Sequence, residues 1–146
     1  MLFRSVGFAP RPVQQPRPPV WVASALFAVS RPSIRRAITF GDAWHPLGLD
    51  RSQMEAGVSR LREEADRLGC RPPAFCPRNL LNLTARPAGE KRALFEGAPD
   101  QVADDLRFIQ RLGAEFVTFD LYACADVDHM IRMIEDFSRT AMRSVA

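Results

Sequence analysis

Four residues stand where a strand-like run gives way to a helix-like one: Ala23, Ser24, Ser30 and Arg31, in the stretch VWVAS…SRPSIRRAITF. Hydroxyls, a guanidinium and the backbone N–H groups of a strand end and a helix N-terminus suit a phosphate. The helix dipole adds to that preference. Trp44 and His45 follow within GDAWHP, at the end of the next strand-like run. An imidazole there exchanges protons near neutral pH, although a lone histidine more often serves as a hydrogen-bonded structural group. Ser30 has an equally good structural use as a helix N-cap, and the residues by themselves favour that use. Asp120 reads as a strand-end cap. Arg35 and Arg36 read as solvated or in surface ion pairs of small value, and His129 as a surface residue of the last helix. No nucleophile and base stand together, so no catalytic residue is assigned. Cys70, Cys76 and Cys124 have no accompanying Cys or His pair of zinc spacing, so no metal site is expected.

The elements that must hold these groups alternate in type. Val20–Ser24 is β-branched and aromatic and reads as a strand. Ser30 caps a short helix with apolar Ile34, Ala37 and Ile38, ended by Gly41. Asp42–Pro46 is a second strand. Asp50 with Gln53 forms a capping box for a helix whose stripe is Met54, Val58, Leu61, Ala65 and Leu68, closed by Gly69. Phe75–Thr84 is a third strand, broken or bulged near Pro77. Ala85–Ala98 is a loop. Pro99 opens a helix with Val102, Leu106, Ile109 and Leu112, ended by Gly113. Phe116–Tyr122 is a fourth strand. A last helix begins near Asp126 or Asp128, with Val127, Ile131, Ile134 and Phe137 inward. Strand–helix alternation implies right-handed βαβ units and a parallel sheet.

Bulk properties narrow the class. The chain has 146 residues, one ordinary domain in size, with 47% hydrophobic and 25% charged residues. Net charge is +3, and of the twenty basic residues only Lys91 is a lysine. The arginines are scattered and interleaved with acids on helix surfaces, which argues against nucleic acid. Three cysteines suit a reducing compartment. The longest apolar run, Val20–Val29, is short of the roughly 20 residues a membrane helix needs. The proline-rich lead-in, residues 1–19, interrupts any signal-like reading, so a cytoplasmic protein is expected. That lead-in reads as an extended loop arriving from an earlier element, ahead of a domain at 20–146.

Four pieces carry a family likeness: PVQQPRPPVWVAS, SRPSIRRAITFGDAWHP, MEAGVSRLREEADRLG and APDQVADDLRFIQRLGAEFVTFDL. In this order the chain resembles the C-terminal half of luciferase-like monooxygenases, in the branch of probable coenzyme F420-dependent oxidoreductases. The resemblance implies an α/β fold, the C-terminal half of a TIM (β/α)8 barrel: four strand–helix units with a parallel sheet. It implies a flavin-type cofactor, coenzyme F420 or FMN, and a small organic substrate. Ala23, Ser24, Ser30, Arg31, Trp44 and His45 are then the candidate cofactor-binding residues, on the phosphate and ribityl side. The family often has Gly-Gly where this chain has Ala23-Ser24, and Gly where it has Ala43. Ala25–Val29 reads as an insertion in the phosphate loop. The first four strands, which carry much of the family's ring-binding equipment, have no counterpart in this sequence. A half-barrel of this kind is expected to self-associate or to pair with a complementary N-terminal half. The alternative is a non-catalytic truncated remnant or half-barrel interaction module.

Overall fold

A computed structural model describes residues 12–24 and 29–145. Residues 25–28, most of the expected insertion, lie outside the described residues, as do residues 1–11 of the lead-in. Seven strands and four helices follow in order: β1 (Trp21–Ala23), α1 (Arg31–Phe40), β2 (Ala43–His45), α2 (Arg51–Arg67), β3 (Ala74–Phe75), β4 (Arg78–Leu80), β5 (Asn82–Leu83), β6 (Glu96–Gly97), α3 (Pro99–Arg111), β7 (Thr118–Asp120) and α4 (Val127–Arg139).

The helix boundaries follow their local chemistry. Ser30 caps α1, its Oγ accepting the Ser33 N–H at 3.3 Å. The Asp50 carboxylate accepts the Gln53 N–H at 2.8 Å while the Gln53 side chain accepts the Asp50 N–H at 3.0 Å, so the capping box forms as the sequence predicts. At the other end of α2, Gly69 takes φ +67°, and the Cys70 N–H reaches back to the Ala65 carbonyl at 3.1 Å. α3 ends the same way, with Gly113 at φ +89° and the Ala114 N–H on the Ile109 carbonyl at 3.0 Å. Only a residue without Cβ adopts that left-handed turn at little cost.

Every strand pair is parallel, those across a helix as strand–helix alternation requires and β5 with β6 across the long loop between them. The half-barrel expectation is not met. The described strands lie in three separate sheets, β1-β2-β3, β4-β7 and β5-β6, not in one four-stranded sheet. The expected third strand, Phe75–Thr84, explains the division, because it splits into β3, β4 and β5 and serves all three sheets. Pro46 has no N–H to give the Cys76 carbonyl, so the regular ladder between β2 and β3 is interrupted there and resumes only as a bridge between Leu47 and Arg78. Past Pro77 the chain stays beside the continuation of β2, with the Arg78 N–H on the Pro46 carbonyl and the Gly48 N–H on the Arg78 carbonyl, both at 2.9 Å, while β4 pairs on its other side with β7. At Leu81 it turns, and β5 meets β6. Strands of two or three residues cannot carry one continuous ladder.

A single core lies between strands and helices. Trp44 stacks on Phe75 with centroids 5.6 Å apart, packed among buried Ile34, Ala37, Met54, Val58 and Leu61. Further along, Phe119 meets Phe95 and Phe137 edge to face at 5.0 and 5.2 Å, beside Val102, Ile109 and Met133. Two expected inward faces are corrected. Leu68, at the α2 C-cap, is 43% exposed because the Gly69 turn begins there. In α4 it is Met133 and Phe137 that are buried, whereas Val127, Ile131 and Ile134 are exposed. The helix has apolar residues on both sides, and only packing against Phe119 selects the Phe137 side.

Asp105 anchors the long loop before α3. It is fully buried and accepts hydrogen bonds from the Arg51 and Arg92 guanidiniums and from the Phe95 N–H at 2.7 Å. Phe95 itself sits at φ +65°. Gln101 clamps the same loop, its Oε1 accepting the N–H groups of Ala88 and Ala98.

Candidate functional site

β1 and β2 run side by side with Ala23 opposite His45, and the Ser24 N–H continues the ladder to the His45 carbonyl at 3.3 Å. Parallel pairing therefore brings Ala23, Ser24 and His45 together at one strand end. The Ser24 Oγ is enclosed, with the residue 7% exposed, and has no hydrogen-bond partner among the described residues. A buried hydroxyl without a partner forgoes about 1–3 kcal/mol of solvation, which a bound acceptor or donor restores.

His45 is oriented by its neighbours. Its Nδ1 lies 2.5 Å from the Cys76 carbonyl oxygen, an acceptor only, so Nδ1 carries the hydrogen and donates. The neutral ring then keeps its lone pair on Nε2, where it can accept a proton. The Trp21 ring lies 5.2 Å from the His45 ring and 5.9 Å from Phe116. Trp21 and Phe116 are 42% and 62% exposed, so three rings form an open aromatic surface beside the strand end.

The other candidates are placed elsewhere. The Trp44 side chain is fully buried on the helix side, where its Cη2 would stand 2.5 Å from a Cβ at Gly57. Ser30 is committed to α1: its Oγ accepts from Ser33 and its carbonyl accepts the Ile34 N–H. Pro32 has no N–H, so the first turn of α1 has few donors left for an anion. The Arg31 guanidinium points to α2, 3.8 Å from Glu64. The strand end thus gathers Ala23, Ser24 and His45, but not Trp44 or Arg31.

Asp120 is not a strand-end cap. It receives both Nε and Nη2 of Arg78, at 2.9 and 2.7 Å, and so ties β7 to β4. Hydrogen bonding to Asp120, with its charge, raises the Arg78 pKa further and keeps the guanidinium charged. Phe116 was missed as a member of the aromatic surface beside His45. The period-two spacing of Phe116, Thr118, Asp120 and Tyr122 was the available signal. His129 accepts the Ala125 N–H at Nδ1 and supports the start of α4. Among the described residues no three His, Cys, Asp or Glu side chains are grouped to hold a metal ion. Among the same residues no helix is long and apolar enough to cross a membrane.

Glu64 concentrates the charge behind α1. It is 6% exposed, with Arg67 at 2.6 Å, Arg35 at 3.4 Å and Arg31 at 3.8 Å. Hydrogen bonding from Arg67 outweighs burial and, with the three positive charges, holds the carboxyl below its ordinary range. A lowered folded-state pKa adds stability that is complete above the unfolded value of about 4.3 and fades as pH falls through the folded value. The wild type is therefore expected to lose stability more steeply than Glu64→Gln between about pH 5 and pH 3 in urea titrations. Equal slopes would show that Glu64 is not a folded-state charge partner.

Compared with known proteins, the chain matches no protein-family model and no curated protein.

Proposed function

We propose that the chain binds the phosphate-bearing tail of a redox cofactor, coenzyme F420 or FMN, at the C-terminal end of β1. In this reading it contributes to an oxidoreductase resembling the luciferase-like family. The observation that carries the proposal is the enclosed Ser24 Oγ without a partner among the described residues, at the strand end where Ala23 pairs with His45. When bound, the cofactor supplies hydride transfer to or from a small organic substrate. Ser24 donates to a phosphate or ribityl oxygen, the Ala23–Ser24 backbone lines the contact, and His45 holds or releases a proton at Nε2. The open rings of Trp21 and Phe116 shield one side from water. A cytoplasmic location fits three free cysteines.

The test is titration of the purified chain with reduced FMN and, separately, with coenzyme F420, followed by fluorescence. Saturable binding at micromolar concentration is expected for one of them. Ser24→Ala is expected to weaken it about 10- to 100-fold, the value of one hydrogen bond to a charged acceptor, with circular dichroism unchanged. Silence from both cofactors overturns the reading.

The exposed Trp21 and Phe116 rings favour one second reading, a non-catalytic interaction module that buries this surface against another chain or a second copy. Absence of cofactor binding together with a mass in solution above that of one chain would support it.

A further inference from the structure

We propose that the outer face of α1 docks an acidic segment of a partner protein, independently of the cofactor site. Ser33, Ile34 and Ala37 turn inward, which leaves Arg31, Arg35 and Thr39 as one row and Pro32, Arg36 and Phe40 as the other. The two rows line a shallow groove of about 460 Å³. α1 contains three arginines and no acidic residue. Arg31 lies in its first turn, where the helix dipole is also positive, and Arg35 and Arg36 follow at its middle.

The nearby counter-charge does not balance them. Glu64 is shared by Arg31 and Arg35 but is held chiefly by Arg67, through two hydrogen bonds of 2.6 and 3.0 Å. Arg36 enters no ion pair among the described residues. The Arg31 and Arg35 side chains remain 70% and 59% exposed despite their contacts with Glu64. At the far end Phe40 is 69% exposed, an apolar seat beside the charges.

Charge complementarity selects the occupant. Exposed guanidiniums recognise planar carboxylates by paired hydrogen bonds. Arg31 to Phe40 spans about 14 Å at 1.5 Å per helical residue. An extended chain covers that length with about four residues at 3.3 Å each. The fitting ligand is a run of about four Asp or Glu residues followed by one apolar side chain.

The experiment titrates the full chain into a fluorescein-labelled peptide of consecutive glutamates ending in leucine, read by anisotropy. Saturable binding is expected at low salt, weakening roughly tenfold or more as screening rises from about 0.05 to 0.3 M salt. Arg36→Glu should abolish it and Arg36→Gln should weaken it severalfold, both with unchanged circular dichroism. Phe40→Ala should weaken a leucine-ended peptide but not a purely acidic one. Arg139→Glu, on α4, should have no effect. Binding that ignores Arg36, no saturable binding at low salt, or binding to anionic lipid vesicles without binding to the peptide would each overturn the proposal.

Discussion

Asp105→Asn is expected to destabilise the chain by about 3–5 kcal/mol, the cost of leaving a buried charge without its partner. The side chain is fully buried and keeps its shape in the variant, so packing changes little. What is lost is the negative charge between Arg92, whose side chain is 15% exposed, and Arg51. A guanidinium stays protonated at any ordinary pH, so Arg92 does not shed its charge to relieve the loss. The same carboxylate receives the Phe95 N–H, which steadies a non-glycine residue at φ +65°. Urea unfolding measures the effect. A loss below about 1 kcal/mol would place the pair in the solvent-screened class. Arg92→Met added to Asp105→Asn should recover part of the loss, because an apolar side chain leaves no orphaned charge.

Trp44 carries the second large effect. Trp44→Ala is expected to cost about 3–5 kcal/mol through lost burial and the cavity left behind. Trp44→Phe should cost much less, about 1–2 kcal/mol, because the indole Nε1 makes no hydrogen bond among the described residues and its removal ends a penalty. The neighbouring Gly57 gives a direct check of this packing. A Cβ at Gly57 would lie 2.5 Å from the Trp44 ring and 3.2 Å from Val29. Gly57→Ala alone should therefore lose about 1–3 kcal/mol by overpacking. In the Trp44→Phe background most of that loss should disappear, since the clashing ring edge is gone. Purely additive losses in the double variant would show that the two residues do not touch.

The helices were the legible part of this chain. The Asp50–Gln53 box, the Ser30 cap and the glycines at 69 and 113 act within a few residues of their own position, so the sequence carries them whole. The parallel sense of the strands was legible for the same reason: each helix returns the chain to the end where it began. The division into three sheets was not. Pro77 announced a break, but that the chain beyond it keeps its bonds to Pro46 and Gly48 on one side and pairs with β7 on the other depends on contacts thirty or more residues away.

The candidate site divides along the same line. Sequence by itself determined that serine, histidine and aromatic side chains lie near strand ends. Only the tertiary structure decided which of them meet. Ala23 and His45 come opposite each other, with the Ser24 N–H on the His45 carbonyl, because β1 and β2 pair in one particular register. Trp44, one residue earlier, falls on the opposite side of the strand and disappears into the core. Arg31 starts the right helix, yet the buried charge of Glu64 on α2 draws its guanidinium away. Asp105 held no signal at all in the sequence, since an aspartate on an amphipathic helix reads as solvated until two arginines arrive from distant segments. Local capping and periodicity are encoded within a turn or two of chain, whereas register, side of the sheet and long-range charge pairing exist only once the segments are packed.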